Sequence, residues 1–585
     1  MRKNTVTHVR KRELRILFLV SAHNGLSQRC WIALSELGHE VEVAVVNSAA
    51  AMEAAVGEHR PELIVCPFLK AMIPETIWRR HRCLIVHPGP PGDRGPSSLD
   101  WAIELGATEW GVTVLQANGD FDAGDVVASR TFPMRPAGKA SLYRHEVRHA
   151  AVNALVEAVA RIAGRGSRSR SGHSGARRLA PAPPTGQARP LMGQSDRAID
   201  WRTDRAADVV RKIRAAEGHP GVLDTIGDHT FHLFGAHPEG SLRGAPGEII
   251  AQRHGAICRA TRDGAVWITQ LKRPDTPARR HFKLPAVRAL QRAGVDPGAP
   301  RIGAPVDVSS RTDQTYRDIA YAERDGVGYL RFDFYNGAMS TDQCGRLRDA
   351  YTYARTRATN VIVLLGGDDC FSNGIHLGMI EAAGDPAVES WQNLVAIDDL
   401  VRDILETDSH LVISALAGDA GAGGVPLALA ADLVLARQDI VLNPYYAHMG
   451  GLYGSEYWTY LLPRRVGAPT TARLVEPPFD PVGTGEAARI GLVDAVLASG
   501  LPQFRDQTRR LAERVANDGL HRARLEYKRR RRASDERAKP LEAYRTEELA
   551  RCHACFFGPD PSYHQARRRF VYKLPETPQT LRQAA

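Results

Sequence analysis

Eight cysteines in 585 residues are too few and too scattered for a disulfide framework, so the chain is expected to work in a reducing cytoplasm. No apolar run approaches the roughly 20 residues a membrane helix needs. The apolar segment that follows the basic start, MRKNTVTHVRKREL, is too short for the core of a signal peptide. The loop after the first strand, Ser21-Ala22-His23-Asn24-Gly25, lacks the Gly-x-Gly-x-x-Gly that cradles a pyrophosphate, which argues against dinucleotide chemistry. The CxxC at Cys552-His553-Ala554-Cys555 has no second pair, so it reads as a helix face and no metal is expected. Net charge is +11, but the basic run Lys528–Arg532 has acidic neighbours (Glu526, Asp535, Glu536) and no interleaved aromatics. It reads as a solvated basic helix, or one near a phosphorylated cofactor, and nucleic acid is not expected as a partner.

What remains is a chain 43% hydrophobic and 24% charged, able to bury several cores and too long for one. The expected fold class is a multidomain α/β protein. Its parts are a Rossmann-like N-terminal domain over 1–163, a flexible linker over 164–190, a small OB-like β-barrel over 191–300, a second enzyme-like domain over 315–500 and a helical C-terminal arm over 501–585. The linker is predicted from its Ser, Arg, Gly and Pro content and its lack of periodicity. The barrel is predicted from short strands around 230–234, 248–251, 256–260 and 265–270 with glycine turns between them.

The stretch from Cys83 to Asp125 carries the first candidate site. An apolar run, Leu84–Val86, ends at His87 and a Pro/Gly loop follows; after a second β run comes Asp122-Ala123-Gly124-Asp125. Loops at the carboxyl edge of an open α/β sheet are where such folds bind ligands. A His and an Asp brought together there can form a proton-transfer pair; otherwise they are a turn His and a capping Asp. Asn24 and Gln28 sit at the corresponding edge of the first strand, as ligand contacts or helix caps. Arg144 is a candidate phosphate or carboxylate contact, or a surface residue.

This stretch resembles the formyl-tetrahydrofolate-utilising formyltransferases. His87, Arg94-Gly95, Gly111-Val112-Thr113 and Asp122-Ala123-Gly124-Asp125 fall in that family's register. The order Ile199-Asp200-Trp201, helix, Gly247-Glu248-Ile249, then Asp263-Gly264-Ala265-Val266-Trp267-Ile268 resembles its C-terminal barrel. The resemblance implies that the Phe68–Leu69 loop holds the pterin ring. It also implies an oxyanion-donating Asn two residues before His87, where this chain has Ile85. That loss disfavours transfer to an amine; a thiol such as that of coenzyme A, which ionises more readily, needs less help.

The second domain carries Phe371-Ser372-Asn373-Gly374 and, farther on, Gly423-Gly424 before a helix closed by Asp432. These markers resemble the crotonase (enoyl-CoA hydratase/isomerase) superfamily. The resemblance implies an oxyanion hole from the N–H groups of Ile375 and Gly423 at a helix N-terminus. The hydratase glutamates are missing: their positions fall on Pro426 and Tyr446. Water addition across a double bond is therefore not expected. The loop Asn443 to Trp458 is dense in Tyr and holds one acid, Glu456, whose apolar setting should raise its pKa. Asn336, just after the domain's opening strand, and Arg567, in the last helix, are candidate cofactor contacts. Tyr445, Tyr453, Tyr457 and Trp458 otherwise read as plain core.

A formyl-folate unit fused to a thioester unit is similar to the hydrogenase maturation proteins that make the carbon monoxide ligand of nickel–iron hydrogenase. The resemblance implies formyl transfer from formyl-tetrahydrofolate to coenzyme A by His87 and Asp122, then loss of carbon monoxide from formyl-CoA at Tyr446 and Glu456. Hydrogenase maturation proteins are possible partners. Two alternatives stay open: a formyl-folate hydrolase or amine formyltransferase with an inert crotonase domain, and a non-catalytic maturation scaffold.

Overall fold

The first strand is apolar on both sides, RILFLV, and buried after its first residue. A strand of that pattern fits only the interior of a sheet covered on both faces. In a computed structural model of the chain, which describes residues 12–165, 185–309 and 314–574, it does so. Strands β1 (Arg15–Val20), β2 (Glu40–Val45), β3 (Leu63–Cys66), β4 (Cys83–His87), β5 (Glu109–Gln116) and β6 (Val126–Pro133) form a sheet in the order β2-β1-β3-β4-β5-β6. The pairings β1–β2, β1–β3 and β3–β4 are parallel, while β4–β5 and β5–β6 are antiparallel. Alternate side chains of β1 feed two cores. Ile16, Phe18 and Val20 pack with Cys30, Leu34, Leu155 and Val159. Leu17 and Leu19 pack with Met52, Val56 and Ile77.

The chain divides into two compact units. One runs to Arg197 and includes Arg214–His219; the other comprises Ala198–Ile213 and everything from Pro220 on. Most of the expected linker, residues 166–184, lies outside the described residues. Its last part is not free chain: Thr185 and Gly186 donate to the carbonyl of Pro91, and Arg189 to that of Arg94.

The second unit opens with β7 (Val222–Ile226), β8 (His229–Glu239), β9 (Ile249–Arg253), β10 (Ala256–Ala260), β11 (Ala265–Lys272) and β12 (Leu284–Pro285). Their order is β7-β8-β11-β10-β9, with β12 on β11. The expected barrel stays open: no ladder joins β7 to β9 among the described residues. The free edge of β9 is taken instead by the chain at 300–302, where Gln252 exchanges hydrogen bonds with Pro300 and Ile302.

The rest is a two-layer spiral. Strands β13 (Ile319–Arg324), β14 (Val327–Phe332), β15 (Val361–Leu365), β17 (Leu411–Leu416), β19 (Leu433–Arg437) and β22 (Ala495–Leu497) make one sheet; β16 (Cys370–Ser372), β18 (Asp419–Gly421), β20 (Val441–Asn443) and β21 (Val482–Gly483) make the other. Successive turns add one strand to each. The helical arm, Leu501–Asn517, His521–Ala538, Leu541–Phe557 and Ser562–Tyr572, packs on this spiral. Phe504, Ala512 and Leu525 close one face of β15 and β17. The expected solvated basic run is partly consumed here: Lys528 is largely buried and donates to Asp432 (2.6 Å) and to the carbonyl of His410 (2.9 Å).

Candidate active sites

In the first unit, β1, β3 and β4 run parallel, so their loops leave from one edge. The connections after β1 and β3 depart to opposite sides of β1, which opens a crevice between them. Ser21 N–H donates to the Phe68 carbonyl (2.8 Å) and Lys70 N–H to Ser21 Oγ (3.0 Å), tying the two loops together. Phe68 and Leu69 are half-buried on that edge. Asn24 caps the helix Gly25–Glu36 by accepting from Ser27 N–H (3.1 Å). Gln28 donates from its amide to the His23 carbonyl (3.3 Å).

His87 ends β4 next to these loops and is buried. Its Nε2 lies 2.8 Å from Asp93 Oδ2 and its Nδ1 lies 3.3 Å from Asp122 Oδ1. Asp122 also accepts from Gly95 N–H (3.4 Å) and sits in the left-handed region at φ 51°. Gly89 can only be glycine: a methyl group there would strike both His87 Nε2 and the Asp93 carboxylate. Burial by itself would push the imidazole pKa down, but Asp122 and Asp93 more than reverse that and lift it to about 9. The Asp122 carboxyl is held below its usual range: burial opposes this, and the hydrogen bond to His87 outweighs it. At neutral pH the pair is thus an imidazolium between two carboxylates, and Asp122 is the more open of the two (17% against 1%).

Asp93 is the residue the sequence reading passed over. It lies in the Pro/Gly loop just before Arg94-Gly95, and a loop acid one turn from a candidate His was the available signal. Arg144 is half-buried on a single π-helical turn, Tyr143–Val147, between the helices Lys139–Leu142 and Arg148–Arg165. Such turns are frequent at functional positions. The neighbouring Tyr143 hydroxyl has its pKa raised, by burial first and then by Asp100 and Asp122.

In the second unit, Gly374 and Gly423 come together: a methyl on Gly374, whose φ is 73°, would lie 3.1 Å from Gly423 N. Gly423 caps the helix Gly424–Leu429. Ile375 pairs with Met339 in a short parallel bridge. A methyl on Gly423 would collide with Glu456 Oε1, so the carboxyl sits directly against the backbone at the helix start. Tyr446 donates its hydroxyl to Glu456 Oε2 (2.7 Å). Both residues are buried, and Pro426 fills the first turn of the helix. The surroundings are apolar: Leu394, Leu452, Phe556 and Tyr563, with Ile375, Met449 and Trp458 at the margin. Glu456 is raised well above the carboxylate range, by burial first and by Asp398 next. Tyr445, Tyr453 and Trp458 make ring contacts of the ordinary core kind, Tyr445 with Phe479 and Tyr453 with Trp458.

Two further buried acids, Asp398 and Glu548, adjoin Glu456 and were not singled out in the sequence; they sit on helices Pro386–Leu405 and Leu541–Phe557 with no local motif. Asn336, at φ 55°, is exposed beside the Phe-x-x-Gly loop, where its carbonyl accepts from Asn373 Nδ2 (2.8 Å). Arg567 is buried. Its Nε donates to Glu381 Oε2 (3.0 Å) and its Nη1 lies 2.8 Å from His564 Nδ1. Cys552 donates to the Gly454 carbonyl (3.1 Å).

Known families and proteins resemble the chain over the segments that hold the two candidate sites. The formyl transferase family matches residues 42–159, the formyl transferase C-terminal domain 192–279, and the enoyl-CoA hydratase/isomerase family 324–554. A hydrogenase maturation factor HoxX from Bradyrhizobium diazoefficiens is 47% identical over 97% of both chains. The crystal structure of HypX from Aquifex aeolicus in complex with tetrahydrofolic acid superposes with a TM-score of 0.91 at 42% identity, covering 97% of this chain and 98% of that one. A methionyl-tRNA formyltransferase from Burkholderia multivorans is 28% identical over 36% of this chain and 64% of its own.

Proposed function

Since the chain belongs to the HypX/HoxX family of hydrogenase maturation factors, we propose that it makes carbon monoxide for a nickel–iron hydrogenase in two steps. The first moves a formyl group from formyl-tetrahydrofolate to coenzyme A; the second splits formyl-CoA into carbon monoxide and coenzyme A. It works in the cytoplasm and hands its product to other maturation proteins. No helix among the described residues is long and apolar enough to cross a membrane.

In the first step the folate lies at the crevice bounded by Asn24, Gln28, Phe68 and Leu69. The thiol sulfur attacks the formyl carbon, the bond from carbon to the folate nitrogen breaks, and a proton ends on that nitrogen. Asp122, the open carboxylate, takes the thiol proton; the His87 imidazolium, fixed by Asp93, stabilises the oxyanion and gives its proton to the leaving nitrogen, and Asp122 then passes the thiol proton to His87 across their 3.3 Å contact, restoring the pair. Ile85 in place of an amide donor supports a thiol over an amine acceptor. The likeness to a methionyl-tRNA formyltransferase favours amine transfer as a second reading, and Ile85 counts against it.

In the second step the formyl oxygen sits between the N–H groups of Ile375 and Gly423. Glu456 removes the formyl proton, the C–S bond breaks to release carbon monoxide, and the proton passes to sulfur. Tyr446 orients the carboxylate. A dry pocket keeps water from hydrolysing the thioester to formate. Asn336 and Arg567 are assigned to coenzyme A in the second unit, Arg567 after exchanging part of its present pairing; Arg144 is assigned to a phosphate or carboxylate of a substrate bound at the first unit.

The observation that carries this reading is the Glu456 carboxyl, buried against Gly423, while Pro426 and Tyr446 stand at the positions of the two hydratase glutamates. The test is gas-phase carbon monoxide from the full chain given formyl-tetrahydrofolate labelled with carbon-13 at the formyl group and coenzyme A. Labelled gas is expected; labelled formate or a formylated amine with no gas overturns it.

A further inference from the structure

The segment that carries Glu456 is held by an unusual arrangement. Glu456 and Tyr457 both lie in the left-handed region, at φ 62° and 59°. Neither is glycine, so each stores backbone strain. Strain of this kind persists only where the surroundings over-determine it. Here they do so through two buried carboxyls from different helices. Asp398 accepts from Glu456 N–H (2.7 Å) and lies 2.8 and 2.7 Å from the Ser455 hydroxyl with its two oxygens. Glu548 accepts from Tyr457 N–H (2.9 Å) and Thr459 N–H (2.8 Å), and reaches Ser455 Oγ at 3.4 Å. Both acids are fully buried, as is Ser455.

From this geometry we infer that Asp398 and Glu548 are positioning residues for Glu456: together they hold the 455–459 turn in its strained form and so aim the Glu456 carboxyl at the Gly423 backbone. The inference rests on the thioester chemistry proposed above for the same site, and adds the groups that build it. Polar contacts from four residues of the turn, Ser455, Glu456, Tyr457 and Thr459, end on these two acids. Without them the turn relaxes toward ordinary backbone angles, and the Glu456 side chain swings off Gly423.

The same cluster governs protonation. Three carboxyls share one apolar enclosure, and all three are raised above their ordinary range, burial being the largest cause for each. Tyr446 and the Ser455 N–H donate to Glu456, the Asp398 and Glu548 charges raise it, and its own charge raises the buried thiols of Cys344, on the helix Thr341–Arg355, and Cys552, on the arm. Arg545, from the arm, pairs with Asp399 (2.7 Å) and lowers Asp398. Ser455 has one hydroxyl proton for contacts to both acids, so a proton on one carboxyl completes the network. Deleting the charge of Asp398 or Glu548 therefore makes Glu456 easier to ionise, while loosening its aim.

The experiment uses the full chain as Asp398→Asn, Glu548→Gln and Ser455→Ala. Two readouts separate this inference from the reaction it builds on. Infrared difference spectra across pH 5–10, assigned by loss of the band in Glu456→Gln, follow the protonated Glu456 carboxyl whatever the enzyme catalyses. The expected result is a titration midpoint at least half a pH unit lower in Asp398→Asn and Glu548→Gln than in the parent. With synthetic formyl-CoA, kcat for carbon monoxide release is expected to fall at least tenfold in both, with KM within about threefold. Ser455→Ala, the mildest change, is expected to show a smaller loss of kcat in a chain that melts near the parent temperature. Parent midpoints together with parent kcat in folded variants overturn the inference. Shifted midpoints with no carbon monoxide from any chain, parent included, leave the positioning role standing and sink the reaction instead.

Discussion

Replacing Asp93 with Asn tests the first site most sharply, because the change keeps the side chain's shape and removes one of the two charges on His87. The imidazole rises from its ordinary 6.5 to about 9, a preference for the charged form of about 3 kcal/mol at 1.36 kcal/mol per tenfold. Burial works against that preference, so Asp122 and Asp93 together supply more than the net. Loss of one charge-assisted hydrogen bond removes about 1.5–3 kcal/mol, so the midpoint is expected to drop by one to two pH units, to between about 7 and 8. Because the folded-state value lies above the unfolded one, the stabilisation is complete below about pH 6.5 and is lost as pH rises through about 9. Asp93→Asn should thus melt earlier than the parent at pH 6, and the gap should close by pH 10. The assay is a pH titration of the His87 ring carbon signals in histidine-labelled protein, with His87→Gln to assign them, alongside thermal melts at both pH values. A midpoint that stays near 9, or a melting gap that persists unchanged at pH 10, would refute the account of His87 as an imidazolium held by two carboxylates.

Four more outcomes follow from the geometry. His87→Ala and Asp122→Ala should each slow formyl transfer to coenzyme A by about 10²–10⁴-fold in a folded chain, and parent-rate consumption of formyl-tetrahydrofolate by either variant contradicts the assignment. Glu456→Gln should stop carbon monoxide release from synthetic formyl-CoA while folate-dependent formyl-CoA still forms and accumulates, which liquid chromatography with mass detection reads directly. Tyr446→Phe removes a hydrogen bond that favours the Glu456 carboxylate, so the rising limb of the rate against pH should move to higher pH; movement to lower pH would show that the hydroxyl serves the protonated form. Gly423→Ala should abolish the second half-reaction and spare the first, because its methyl meets Glu456 Oε1; retention of carbon monoxide release would place the carboxyl elsewhere.

The strands and the two family resemblances were legible in the sequence because they rest on local pattern. The apolar run Leu84–Val86 lies in the strand Cys83–His87, and Ala256–Ala260 and Ala265–Lys272 are strands where the short β runs predict them. Motifs such as Phe371-Ser372-Asn373-Gly374 fix a turn whose glycine geometry is a property of a few neighbouring residues. The candidate reactive residues, His87, Asp122, Tyr446 and Glu456, stood out for the same reason: each follows a strand or lies in a loop of distinctive composition. What tertiary structure alone decided is which groups surround them. Asp93 meets His87 only when the Pro/Gly loop folds back, and Asp398 and Glu548 meet Glu456 from helices far away in the chain, where nothing in the local sequence separates a buried acid from an exposed one. The open edge of the small sheet, expected as a barrel, was decided in the same way, by residues 300–302 arriving at β9 from outside it. Periodicity and turn chemistry act over a few residues and are written in the sequence, whereas desolvation and the partners of a buried charge are set by elements that meet only in the folded chain.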